Sequence, residues 1–511
     1  MIQLENVQSN VLRGYRHGEG LPHVVYVFLR FSEANAQAAR DFVRSAHPLT
    51  TSCKGWDDLA KTRDALDQTL DQTLDHAGDR IEVDDRFVWN LGFTIDGLHV
   101  LDPEIMTWQI QDGEECWQSE VFKSHSAFVE GPRLPHRAQS LGDEGPSAPD
   151  QWEEIYRTDK IHAVVSVSAW RPEGILRATE ELETLLSQYA SGVENVGSET
   201  GNLLEGGKEH FGYVDGIGQP FVKGSGLEPH PGEGIRTPNG WKPVPSGEFV
   251  IGYDNVADGE PHLQANGQRT PSEPPSALLV DGSFLVLRKL SEDVVAFREW
   301  TREQARQAYP NVDAEDFFKA KLVGRWPSGA PLALAPAKDD PRLIEDLDKR
   351  NNFGFADDAE GFTTPFGSHI RRSNPRDDPT GPTADQIAQR RIIRRALPYG
   401  PPLPEGAPDD GIDRGVLFGV INANIQEQFE FVQANWINST LSSNRLAFDE
   451  DKDPIIGSNE LGRGKFTIPD PERPVFVWDL PRFVTVRGSA YFFLPSLSSL
   501  LQLAETTQPD G

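Results

Sequence analysis

LPHVVYVFLRF, residues 21 to 31, runs directly into SEANAQAARDFVRSA, residues 32 to 46. The first stretch is rich in valine and aromatics and reads as a β-strand, while the second reads as an α-helix with Ser32 as its N-cap. The same chemistry recurs along the chain. FVWNLGFTIDGL (87 to 98) and KIHAVVSVSAW (160 to 170) resume strand character, and PEGILRATEELETLLSQYA (172 to 190) is a helix opening on proline. A second set begins with EFVIGY (248 to 253) and FLVLRKL (284 to 290) as strands and SEDVVAFREWTREQARQAY (291 to 309) as a helix. RGVLFGVIN (414 to 422) then reads as strand, NIQEQFEFVQANWIN (424 to 438) as helix, and AYFFLPSLSSLLQLA (490 to 504) as strand into helix.

This recurrence, without a Rossmann glycine signature, predicts an α+β protein of two halves, each an antiparallel sheet backed by helices. The expected units are an N-terminal domain over residues 1 to 205 and a C-terminal domain over residues 206 to 511. In ALDQTLDQTLDHAG (65 to 78), Leu66, Leu70 and Leu74 recur every fourth residue among aspartates, which predicts an amphipathic helix. Three Pro/Gly-rich segments, 226 to 247, 257 to 276 and 400 to 413, lack periodicity and read as long surface loops.

A chain of 511 residues exceeds the size at which one core usually keeps growing, and it has room to bury a large cofactor. Lys plus Arg number 49 and Asp plus Glu 79, for a formal charge of −30. Such a surface repels a phosphate backbone and removes the counterion-release term of non-specific binding, so no nucleic-acid partner is expected. The two cysteines, Cys53 and Cys116, match no metal-binding spacing and read as structural thiols. The opening MIQLENVQSNVLRGY has no basic-then-apolar leader pattern, and no apolar run reaches about 18 residues. A cytoplasmic protein without a membrane partner is the expectation, and the sequence leaves room for a homodimer.

Three segments carry candidate chemistry. GSHIRRSNPR (367 to 376) sets His369 between Phe362 and Phe366 upstream and Arg371, Arg372 and Arg376 downstream. An apolar wall, an imidazole and guanidiniums together suit a flat apolar dianion such as haem, whose iron accepts a neutral imidazole and whose propionates seek arginine. The bland alternative is an arginine cluster balancing Asp377, Asp378 and Asp385. HFGYVDGIGQP (210 to 220) holds Asp215 among glycines that let backbone approach a ligand closely, although an aspartate there also suits an Asx turn. QRRIIRRALPYG (389 to 400) reads as a strand on which Arg394 and Arg395 face opposite ways.

Taken together, these segments resemble the dye-decolorizing peroxidases, a haem peroxidase family. GYVDG (212 to 216) is similar to that family's GxxDG motif, GSHIRRSNPR to its proximal-histidine segment and IIRRALPYG to its distal-arginine segment. The resemblance extends to VGRWPSGAPL (323 to 332), to residues 414 to 438 and to AYFFLP (490 to 495). The long form resembles the larger, non-exported branch.

The resemblance implies two ferredoxin-like halves with haem b (iron protoporphyrin IX) held between them, mainly in the C-terminal half. It implies that His369 ligates iron, that Asp215 and Arg394 face hydrogen peroxide, and that Arg371 contacts a propionate. Val416, Leu417 and Phe418 fall where the family lines its distal pocket. The imidazole should donate its other N–H to a carboxylate, with Asp453 the first choice and Glu430 the second. Ala396 stands where several branches carry Asn or Ser, so a hydrogen bond from that position is absent.

The implied activity is peroxide-driven oxidation of dyes, phenolic and other aromatic donors by one-electron steps, with an acidic pH optimum. Trp436 and Tyr399 are relay candidates for bulky donors, although aromatics at such positions are more often core. The same histidine pocket would also serve a haem-binding or iron-handling protein with little turnover. A cofactor-free, anion-binding protein is the third class.

Overall fold

The computed structural model describes residues 1–62, 86–111, 114–256, 275–310, 314–439, 451–459 and 463–506. The amphipathic helix expected over 65 to 78 lies outside these residues.

Eight strands form one antiparallel sheet: β1 (His23–Phe31), β2 (Phe87–Phe93), β3 (Ala163–Ala169), β4 (Val193–Asn202), β5 (Ser283–Glu292), β6 (Ile393–Tyr399), β7 (Gly415–Asn422) and β8 (Val484–Leu494). Their order across the sheet is β6-β7-β5-β8-β2-β3-β1-β4. Each successive set of four repeats one order across the sheet: second strand, third, first, fourth. These are the two ferredoxin-like halves. β8 meets β2 where Phe493 pairs with Phe93, so the halves share a continuous sheet.

The inner strands, such as β1, β3 and β7, read as nearly unbroken apolar runs because both sheet faces are covered there. Alternate residues of one strand enter different cores. Phe31, Phe93, Phe284 and Phe493 pack on one face, whereas Phe28, Leu285 and Phe492 pack on the other. The first face is covered by helices α1 (Ala36–Ala46), α2 (Pro172–Gln188) and α6 (Leu497–Glu505), through Phe42, Leu182 and Leu500 among others. Phe122 and Phe128, from the first half of the chain, close on Phe493 and Phe284 of the second at centroid distances of 5.5 and 5.1 Å. α3 (Val294–Ala308) and α4 (Glu315–Val323) build a separate core around Phe297, Phe318 and Phe483.

Several local expectations are corrected. Ser32 caps nothing. A 3₁₀ turn (Glu33–Asn35) intervenes, and Asn35 caps α1 by accepting from the Ala38 N–H at 3.3 Å. EFVIGY forms no strand, although Phe249, Val250 and Ile251 are buried. An apolar run signals burial without specifying a ladder, and here the Ile251 N–H donates to Gly282 and the Phe249 carbonyl accepts from Ser283. Residues Gln426–Glu430 and Val432–Ile437 wind as π-helix rather than α-helix, with bonds such as Glu430 N–H to Ile425 O at 2.9 Å. π-turns of this kind concentrate at functional sites. No helix among the described residues is long and apolar enough to cross a membrane.

Phe493 is fully buried where both halves meet. Phe493→Ala should therefore cost about 3–5 kcal/mol, read as a lower denaturation midpoint in equilibrium unfolding.

Candidate active site

Helix α5 (His369–Ser373) begins at the histidine itself. The Ser368 hydroxyl donates to Lys321 O at 2.5 Å, tying the helix start to α4. Arg372 donates to the carbonyls of Trp436, Asp451 and Ser439, so the same segment anchors the π-helix and the chain around residue 451. That anchoring brings Asp453 to the histidine: His369 Nδ1 lies 2.8 Å from Asp453 Oδ2. The other carboxylate oxygen accepts from the Ile455 and Ile456 N–H groups, each at 2.9 Å.

Burial alone would raise the Asp453 carboxyl and lower the His369 imidazole. The charge of each partner and the hydrogen bond between them reverse both, so Asp453 moves down and His369 up. With Nδ1–H donated to Asp453, Nε2 is left to present its lone pair to the cavity that His369 lines. Glu430, the second candidate for this role, instead accepts from Arg137 at 2.6 Å and Tyr491 at 2.9 Å.

Asp215 and Arg394 line the same cavity. Arg394 Nη1 donates to Asp215 Oδ1 at 2.7 Å. β6 is held in place by Gln219, whose amide bonds both the N–H and the carbonyl of Arg394, at 3.1 and 2.8 Å. Sequence reasoning missed Gln219, because a lone glutamine carries no motif. Gly216, with φ of 79°, gives the turn beside the aspartate a backbone angle that L side chains rarely adopt. Burial pushes the Asp215 carboxyl up, but the charge and hydrogen bond of Arg394 outweigh it, and the net shift is downward. Its side chain keeps 38% exposure, and this surface faces cavities.

Val416 and Phe418 also line this cavity. Leu417, pointing the other way along β7, is fully buried in the opposite core and does not. The assignment of Arg371 to a ligand is likewise corrected. Its guanidinium is held between Phe355 and Phe366 and bonded to Asp358, Asp378 and Thr364, away from the cavity lining. Arg325 and Arg376 line the cavity instead. Both donate to carbonyls or to an amide oxygen, and neither has a carboxylate partner among the described residues. Burial depresses both, Arg325 to about 9. Arg376 also has a φ of 56°, a left-handed conformation that a non-glycine residue holds only when its surroundings impose it.

Two further carboxyls, Glu209 and Glu292, line the cavity. Burial pushes Glu209 up to about 7 despite N–H donors from Phe211 and Tyr213, and it raises Glu292 as well. Each also feels the negative charge of Asp215.

No family model matches the chain. Relatives do. The dye-decolorizing peroxidase of Mycena epipterygia is 32% identical over 398 residues, covering 72% of this chain and 70% of its own length. The chain belongs to the dye-decolorizing peroxidase family. Dye-decolorizing peroxidase msp1 of Mycetinis scorodonius is 30% identical over 389 residues, again 72% of this chain and 70% of the relative. Among solved structures, an ancestral D-type dye-decolorizing peroxidase superposes with a TM-score of 0.76 at 28% identity, over 99% of this chain and 100% of that one. A dye-decolorizing peroxidase in complex with 2,6-dimethoxyphenol gives 0.74 at 26% identity, over 99% and 100%.

Dye-decolorizing peroxidases are haem enzymes, and the residues present fit that group. An oriented imidazole faces a largely apolar cavity, and Arg325 and Arg376, buried guanidiniums without carboxylate partners among the described residues, stand in its wall, suited to propionates.

The electrostatics can be checked directly. In cofactor-free protein, NMR titration should place the His369 imidazole above the ordinary value near 6.5. In Asp453→Asn, burial should prevail and the value should fall below the ordinary one.

Proposed function

We propose that this chain uses hydrogen peroxide to oxidise dyes and phenolic or other aromatic donors in one-electron steps, with haem b in the cavity below Asp215 and Arg394. One observation carries the reading: His369, held from behind by the buried Asp453, lines the same cavity as the Asp215–Arg394 pair. His369 would ligate the iron through Nε2, and Arg325 and Arg376 would hold the propionates. When bound, the haem supplies the redox chemistry.

Each pair has a distinct task. Asp453 fixes the imidazole tautomer and makes His369 a more electron-rich ligand. Asp215 Oδ1 is engaged by Arg394, leaving Oδ2 to take a proton from one peroxide oxygen and return it to the other. The Arg394 guanidinium keeps the carboxyl ionised and stabilises negative charge as the O–O bond breaks. Ala396 lines the cavity with no polar atom on its side chain, so proton and charge work fall to Asp215 and Arg394.

Trp436 and Tyr399 are each only 8% exposed. Trp436 packs edge-on against Phe431 at 5.7 Å, and the Tyr399 hydroxyl donates to Asp413. Neither presents a face on which a dye can stack.

Three substitutions test the reading. His369→Ala should abolish haem uptake, seen as loss of the Soret band. Asp215→Asn should keep that band and lower peroxide-dependent turnover by about 10²–10⁴-fold. The pH dependence follows from the downward shift of Asp215: the base form persists below the usual carboxyl range, and its contribution is lost only as pH falls through the lowered pKa. The wild type should therefore stay active into acid, and Arg394→Leu should move the acid limb of kcat/KM upward.

A further inference from the structure

Beyond the Asp215–Arg394 pair lies a second, larger chamber of about 780 Å³. It shares Glu209, Asp215, Arg394, Ala396 and Val416 with the first cavity, so the catalytic pair lines both. Exposed Gly18, Arg171 and Leu203 line its outer part. Its size falls within the roughly 300–1,000 Å³ of small-molecule sites.

The chemistry of its wall is selective. Trp56 and Trp170 line it with ring centroids 5.7 Å apart, and Tyr26 contributes from β1. Its charge runs against that of the whole chain. Five Arg or Lys side chains (Arg16, Arg171, Lys208, Arg394 and Arg395) stand against two carboxyls, Glu209 and Asp215, in a protein with 79 acidic and 49 basic residues. Arg16 already pairs with Glu233 at 3.1 Å and Arg394 with Asp215. Arg395 differs. Among the described residues, one of its N–H groups donates to the Arg13 carbonyl, its buried Nε has no partner, and no carboxylate pairs with it. A half-buried guanidinium in the wall of an aromatic chamber is set to receive an anionic aromatic molecule.

We propose that this chamber binds an aromatic carboxylate of hydroxycinnamate size, with its carboxylate on Arg395 and its ring against Trp56 and Trp170. The assignment of the bound acid as an electron donor rests on the peroxidase reading, whereas the binding site does not. In turnover, two phenolic acids each lose one electron and the phenolic proton to become phenoxyl radicals, and one hydrogen peroxide is reduced to two waters. The chamber then separates small acidic phenols, oxidised from within, from dyes too large to enter.

Calorimetric titration of the holoenzyme with 4-hydroxycinnamate, without peroxide, tests the site. The wild type should bind saturably. Arg395→Met should weaken binding tenfold or more with the Soret band unchanged, and Arg395→Lys should recover part of the loss. Methyl 4-hydroxycinnamate, which lacks the charge, should be indifferent to all three side chains. In steady state the Met variant should raise KM for the acid by the same factor, leaving kcat and the KM for peroxide unaltered. Equal affinity of wild type and Met variant for the acid overturns the proposal. Equal losses for acid and ester also overturn it, since they mark a general disturbance of the chamber. Charge-selective binding with no peroxide-driven turnover of acid, ester or dye supports the site and overturns the peroxidase reading.

Discussion

The contact of His369 with the fully buried Asp453 is the constraint around which the C-terminal half is arranged. A carboxylate with no exposure needs several donors to remain ionised, and Asp453 obtains them from the imidazole and from two successive backbone N–H groups. Supplying those donors fixes the chain at residues 453 to 456. The neighbouring Arg372, by binding three carbonyls, holds the ends of the π-helix and of that chain segment to the histidine helix. The imidazole thereby acquires one tautomer and one orientation, which a metal ligand requires.

The opposite wall depends on a single strand. On β6, alternation sends Arg394 to Asp215 and Arg395 to the carbonyl of Arg13, so two adjacent guanidiniums take separate tasks. Gln219 makes this possible by bonding the backbone of Arg394 and so setting the height of both side chains. The cavities on either side of the pair differ in kind. One is largely apolar and bordered by Arg325 and Arg376, and the other is cationic and aromatic. The carbonyls of Asn351 and Phe353 hold the Arg376 side chain, whose backbone keeps a left-handed φ of 56° in this wall.

Most elements were legible because their signals are local. The helices opening at Pro172 and Asp293 and the strands around Val165, Leu287 and Val420 match their periodicity and caps. β4, VENVGSETGN, was not legible, since an edge strand of polar residues and glycine carries no apolar alternation and pairs only because β1 lies beside it. EFVIGY failed in the opposite sense, as it is apolar enough for a strand but bonds the turn at Asp281 and Gly282 instead of a ladder. Arg371 could not be distinguished from Arg376 by composition, because each is an arginine near the histidine. Two carboxylates, Asp358 and Asp378, neutralise the first, whereas the second donates to carbonyls and lies over the Phe353 ring, with no carboxylate partner among the described residues.

The sequence by itself determined the α+β class, the three segments that resemble one peroxidase family, and the candidates His369, Asp215 and Arg394, because each rests on residue type and spacing within a short window. Only the tertiary structure decided that Asp453 rather than Glu430 meets the histidine, that Leu417 turns away from the cavity, and that the two halves merge into one sheet. These outcomes turn on contacts between residues far apart in the chain, 84 positions for His369 with Asp453 and 179 for Asp215 with Arg394. Such pairings follow from which buried charges can be satisfied together in three dimensions, and no local pattern records that competition.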